Sequence, residues 1–195
     1  MRHRGKGTDG MDPLRMNGKQ SRTIRLSVAP EADFREVIRT LESITIPPSH
    51  VSGEHLRFAI LELLNNSIRA HRERSEPRDI SIDMTVTDGR LMITIRDFGG
   101  GFDTGKLPYD IEEDACRLDL HSSPFAEYQK KNDYKRFGMG IYVAKKTFDE
   151  FRLVFLDDKD QPSPWVPGRT VGTRITLSVG VEPESATGME TANGQ

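Results

Sequence analysis

Two runs of alternating apolar residues meet at a tight turn in DISIDMTVTDGRLMITIR, residues 79–96. Ile80, Ile82, Met84 and Val86 alternate before the turn, and Leu91, Ile93 and Ile95 alternate after it. A period of two gives each run one apolar face, as a half-buried strand requires. Asp88-Gly89 between them tolerates the positive φ angles of a two-residue hairpin. An antiparallel hairpin at the middle of the chain works against a doubly wound sheet, whose parallel strands are joined by helices.

The flanking segments complete the pattern. TIRLSV alternates Ile24, Leu26 and Val28. Phe34, Val37, Ile38, Leu41 and Ile44 fall at helical spacing, and Pro47 and Pro48 end that helix. A second helix is expected from Ser52 to about Arg72, with Leu56, Ile60, Leu63, Leu64 and Ser67 on one face. A long polar segment, Asp103 to Arg136, follows the hairpin with weak structural signals. GMGIYVAKKTFDEF then reads as a glycine turn opening a helix, with Ile141, Ala144, Phe148 and Phe151 on its buried side. Strands RLVFL and TRITLSV close the unit across the Pro/Gly-rich QPSPWVPGRTVG, where Trp165 is expected to pack against the sheet. The order predicts a two-layer α/β sandwich: a mixed, mostly antiparallel sheet with its helices on one face.

The chain has 195 residues, enough for one domain with tails and a sizeable core. Residues 1–22 are basic and lack apolar periodicity, and residues 181–195 are similarly poor in large apolar groups. Both are expected to be disordered tails around an ordered domain at 23–180. The start has no apolar run after its charges, so no secretory signal is expected. No run approaches the roughly 18 apolar residues of a membrane helix. A net charge of -2 gives no broad pull toward nucleic acid or anionic lipid. The single cysteine, Cys116, excludes an internal disulfide and fits a reducing cytoplasm.

The segment ITIRDFGGGFDTGKLP carries three overlapping nucleotide-binding signatures. Asp97-Phe98-Gly99 spells the DFG of protein kinases, but no HRD-type loop or VAIK-type lysine accompanies it. Gly100 to Lys106 matches most of a P-loop, but Leu107 stands where Ser or Thr would hold magnesium. The acidic YDIEED after Pro108 replaces the helix start that would cradle phosphates. The third signature, Asp97-x-Gly99-x-Gly101, is a glycine box of another ATP-binding fold.

That third signature makes further demands, which the chain meets in order. Glu62 and Asn66 stand at i and i+4 on one helix face, away from the core stripe. A flexible lid is expected at about 103–137, a length that in compact domains tends to be functional. Gly138, Met139 and Gly140 offer bare amides at a helix start, where the dipole favours phosphate. Gly172-Thr173 opens the last strand. Together these boxes resemble the Bergerat-fold (GHKL) ATPase superfamily of gyrase B, Hsp90, histidine kinases and MutL, over about residues 23–178. The strand and helix directly before the Asn66 box make the chain most similar to the anti-sigma-factor serine/threonine kinases. Ser67 stands where that family usually has alanine, and Asn65 adjoins the key asparagine.

The resemblance implies ATP and magnesium as cofactors. It makes Asp97 the acceptor for the adenine amine with Thr173 beside it, and lets Gly99 and Gly101 bring the backbone close to the base. It makes Asn66 the magnesium ligand, Glu62 the general base, and Gly138, Met139 and Gly140 the phosphate amides. Lys106, Lys130, Lys131, Lys135 and Arg136 are the cations considered for the transferred phosphate. The implied partners are a small antagonist protein as substrate and a sigma factor. A homodimer is left open, and no direct nucleic acid or membrane binding is expected. Two alternatives stand beside the kinase: a catalytic domain serving a separate histidine-phosphorylated partner, and a nucleotide-gated binding module. His71 and His121 lack partners at metal-ligand spacing, so no zinc site is expected.

Overall fold

A computed structural model of the chain describes residues 22–114, 117, 122–131 and 139–182. Strand β1 spans Arg22–Val28, helix α1 Phe34–Ser43 and helix α2 Gly53–Arg74. The hairpin follows as β2, Ile80–Thr87, and β3, Arg90–Asp97. Helix α3 spans Ser123–Lys131 and α4 Met139–Thr147; strands β4, Glu150–Leu156, β5, Pro162–Ser163, and β6, Gly172–Gly180, complete the chain. The sheet order is β1-β2-β3-β6-β4-β5. Every neighbouring pair is antiparallel, so the expected sheet needs no parallel contribution.

The hairpin forms as its residues demand: Asp88 and Gly89 adopt φ of 53° and 71°, and Thr87 pairs with Arg90. Alternation then sorts the sheet. Ile80, Ile82 and Met84 of β2, Leu91, Ile93 and Ile95 of β3, and Ile175, Leu177 and Val179 of β6 are all buried. They form one core with Leu56, Ile60, Leu63 and Leu64 of α2 and with Ile141 and Ala144 of α4. The opposite face carries Asp83, Thr85, Thr94, Arg152 and Arg174, so the hydrophobic core lies on one side of the sheet. Burial of this kind is worth about 25 cal/mol per Å² of apolar surface, and it fixes the layer on which the site is built.

Helix α2 has clear ends. Ser52 accepts the His55 N–H at its start, and Ser75 closes it at φ 51°. The two polar ends of the ordered unit lie a little beyond the expected bounds. Arg22 already pairs with Val86, and Val181 and Glu182 donate to the Gly89 and Pro48 carbonyls. The remaining tail residues lie outside the described residues.

One expectation is corrected. Phe151 belongs to β4, opposite Leu177, and not to a continuing helix, because α4 ends at Thr147. It still packs against the core, but from the sheet. The segment expected as a flexible lid contains a 3-10 turn at Thr104–Lys106 and helix α3, which buries Phe125.

Candidate functional site

Alternation along β3 does not stop with its apolar residues. Leu91, Ile93 and Ile95 point inward, so Asp97 points inward too, and it is only 5% exposed. Thr173 holds the matching end of the inward row on β6 and pairs directly with Asp97. A buried carboxylate is costly unless hydrogen-bonded, and here it has several donors. The Thr173 hydroxyl makes a short bond to Oδ2, the Ser67 hydroxyl reaches Oδ2 at 3.2 Å, and the Gly99 N–H reaches Oδ1 at 2.8 Å.

The backbone after Asp97 is clamped as well. The Phe98 N–H donates to His71 Nε2 at 2.8 Å, which leaves the imidazole proton on Nδ1, without an acceptor among the described residues. The Phe98 ring lies 3.9 Å from the Arg78 guanidinium carbon and 4.6 Å from that of Arg96. Arg78 is itself held by bidentate bonds of 2.7 and 2.8 Å to Glu76, whose carboxyl that guanidinium pulls down to about 2. His71 therefore serves the frame of this site, and the apparent DFG phenylalanine is a cation-flanked plug.

The protein's own packing also requires these glycines to be small. A Cβ on Gly99 would lie 2.5 Å from Ala70 Cβ, and one on Gly101 would lie 2.7 Å from Phe155. Gly101 also has φ +64°, where side chains are strained. These residues let the β3 exit settle against α2 and β4.

In front of Asp97 opens a cavity of about 690 Å³, within the usual range for a small-molecule site. Asn66, Ser67, Asp97, Gly101 and Thr173 line it, together with Leu63, Ile141 and Ile175 from the core. Asn66 rather than Asn65 faces it, since Asn65 is exposed. Glu62 is not among the lining residues. It lies one turn back along α2, where a Cβ on Gly140 would meet Asn66 Nδ2 at 2.7 Å and Glu62 Cβ at 3.3 Å. Gly140 thus lets α4 begin directly against Glu62 and Asn66. Met139, the first residue of α4, is half-buried beside it. Gly138 lies outside the described residues, as do Cys116, His121, Lys135 and Arg136.

Of the cations considered, Lys106 lines the cavity with its side chain 82% exposed, and Lys130 is exposed on α3. The pattern reading passed over Arg69, which also lines the cavity and donates to Asn66 Oδ1 at 3.3 Å. Its signal was the i+3 spacing from Asn66, which on a helix means the same face. Tyr128 of α3 joins the lining opposite, its phenol pushed up by burial against the opposing effect of Arg69. The stretch after the 3-10 turn rests on α4. Lys145 donates to the Ile111 and Glu113 carbonyls, and the buried Tyr109 phenol accepts the Tyr142 N–H. Burial raises that phenol well above the usual tyrosine value.

The arrangement offers a carboxylate with hydroxyl partners at one end, and an amide oxygen, a carboxylate and helix-start amides at the other. A family model described as the histidine kinase-like ATPase domain matches residues 26–160, more than half the chain, and includes Glu62, Asn66, Ser67, Asp97, Gly101 and Gly140 but not Trp165 or Thr173. No curated protein matches the chain. No helix among the described residues is long and apolar enough to cross a membrane.

Proposed function

The chain belongs to the histidine kinase-like ATPase domain family, and on that premise we propose an ATP-binding serine/threonine protein kinase of the anti-sigma-factor type. It transfers the γ-phosphate of ATP to a serine of a small antagonist protein and holds a sigma factor in a partner switch. The observation that carries the nucleotide site is the buried Asp97 carboxylate, ringed by Thr173, Ser67 and Gly99 at the cavity's end. A carboxylate offers about four lone-pair positions. With its donors in place, one position is left for an incoming amine such as that of adenine.

The donor set also suits magnesium. No cluster of three or more acidic, His or Cys residues exists among the described residues, so there is no cage for a metal bound by protein alone. Magnesium is commonly held by one or two oxygen ligands together with phosphates and water, and Asn66 Oδ1 is the oxygen proposed here. Bound there, the ion would neutralise charge on the phosphates.

This chain's residues then divide the work. Asp97 fixes the base, and the Met139 and Gly140 amides hold phosphate oxygens with help from the α4 dipole. Arg69 is the cation proposed to offset charge on the transferred group. Glu62 takes the proton of the attacking serine hydroxyl as its oxygen bonds to the γ-phosphorus and the bond to the β-phosphate oxygen breaks. Glu62 is what favours transfer over simple gating, since a pure binder has no need of a base beside Asn66. The strand and helix that precede α2 support the anti-sigma branch.

The decisive experiment is capture of partners on the purified chain with ATP or ADP, followed by transfer from labelled ATP to what is captured. Labelling of a small protein on serine, with a sigma factor in the same complex, is expected. Labelling on histidine would instead favour the separate phospho-accepting partner.

A further inference from the structure

The loop between β5 and β6 contains the chain's one tryptophan, Trp165, and its side chain forms part of the cavity wall rather than only sheet packing. A turn of its own holds the loop there. The Val166 N–H donates to Thr170 Oγ1 at 2.8 Å, and the Thr170 N–H returns to the Val166 carbonyl at 3.0 Å. Thr170 is buried, and the next residue, Val171, accepts the Gly100 N–H at 3.0 Å. A Cβ on Gly101 would press on Thr170 Cγ2 at 3.1 Å. The turn behind Trp165 is thus fastened to Gly100, Gly101 and the start of β6, at the Asp97–Thr173 end of the cavity. Asn66 lines the other end, with Glu62 and Gly140 beside it.

Trp165 has a second peculiarity. Its Nε1 is buried without an acceptor among the described residues, whereas a buried indole N–H ordinarily has one. Among the described residues the ring is held at the wall by packing, which leaves its apolar face for a planar ligand.

Resting on the ATP-binding reading, we infer that Trp165 is a base-recognition residue. Its indole supplies the apolar wall against which the nucleobase packs, while the neighbouring Asp97 carboxylate accepts from the base edge. A flat heterocycle bearing an amino group is the ligand chemistry that this pair selects, and the phosphates play no part in the selection.

The test uses the full chain, in which Trp165 alone gives tryptophan emission. Adenosine, which has no phosphates, is expected to change that emission at a midpoint that agrees with its calorimetric affinity. Trp165→Ala should weaken ADP binding about tenfold, the scale of a base–aromatic contact, and Trp165→Phe should restore most of it. Neither change should alter the affinity for inorganic tripolyphosphate, which a merely structural role would also reduce. Calorimetric binding of adenosine with unchanged emission overturns the proposal and leaves the ATP-binding reading intact. So does a Trp165→Ala chain that binds ADP like the native one. Absence of any ADP binding by the native chain overturns both. The emission measurement needs no variant, so it stands even if Trp165→Ala fails to fold.

Discussion

The Ser67 hydroxyl donates to Asp97 Oδ2 across 3.2 Å and so ties the middle of α2 to the end of β3. Both side chains are buried, at 4% and 5% exposure. The bond has a physical consequence for the carboxylate: one of its lone-pair positions is used by the protein. Ser67→Ala removes a donor while Thr173 and Gly99 still satisfy Asp97, so stability should fall by about 1 kcal/mol in urea unfolding. Affinity for ATP should stay within severalfold by calorimetry.

Asp97→Asn should behave differently. It replaces the acceptor with an amide whose NH₂ meets existing donors, and the bond to a charged acceptor, about 1.5–3 kcal/mol, is lost to the ligand. ATP affinity should drop at least about tenfold. Undiminished ATP binding by a folded Asp97→Asn chain would refute the site.

Glu62→Gln keeps the shape of the side chain and removes the proposed base. Calorimetric ATP affinity should remain within a few-fold of native, while transfer to a captured partner falls by about 10²–10⁴. Retained transfer would exclude Glu62 as the base and favour another group or no transfer chemistry at all.

Gly140→Ala separates function from stability. Alanine favours a helix interior over glycine by up to about 1 kcal/mol. The new Cβ would lie 2.7 Å from Asn66 Nδ2, the end of a side chain that can turn aside, and 3.3 Å from the Glu62 Cβ and carbonyl oxygen, which must give by a few tenths of an ångström. Small change in thermal stability is therefore expected, with the cost falling on Asn66. The measurement is the magnesium dependence of ATP affinity, which should weaken.

Acid should act on the Phe98 clamp through Glu76. Its carboxyl is held at about 2, below the ordinary glutamate value of 4.5, because Arg78 bonds to it. A depressed carboxyl contributes stability that is present above pH 4.5 and is lost as pH falls toward 2. The difference between native and Glu76→Gln urea midpoints should therefore be widest near neutral pH and shrink through that window. A constant difference would mean that the pair contributes nothing through its charge.

Much of this fold was legible because the sheet is written in a two-residue code. Asp88-Gly89 and its flanking alternation announced the hairpin, and the same parity carried Asp97 and Thr173 into the core. The asparagine and glycine boxes were visible as spaced residues. Other features lacked such a code. Phe148 and Phe151 are three apart, a helical spacing, and no proline or glycine between them marks the end of α4. Helix α3 is short and polar, with Phe125 its buried anchor, so its apolar signal was too thin to see. Ser67 lies on the apolar face of α2 and reads as small packing until its partner across the fold is known. Arg69 resembles any solvated arginine on a helix until the cavity opens beside it. Glycine smallness was legible, but its beneficiaries, Ala70 and Phe155, come from distant segments.

Helix α2 meets both ends of the cavity without interruption: Glu62 and Asn66 stand beside α4, and Ser67 and Ala70 stand behind Asp97 and Gly99. The eight helical steps from Glu62 to Ala70 span roughly 12 Å. The interval between the Glu62–Asn66 pair and the residues behind Asp97 is thus fixed by peptide geometry, as on a gauge block, and no hinge angle or loop length enters it. An extra residue in the lid leaves that interval untouched. One inserted between Asn66 and Ser67 would turn one end against the other by about 100°, and the cavity would lose its measure at a stroke.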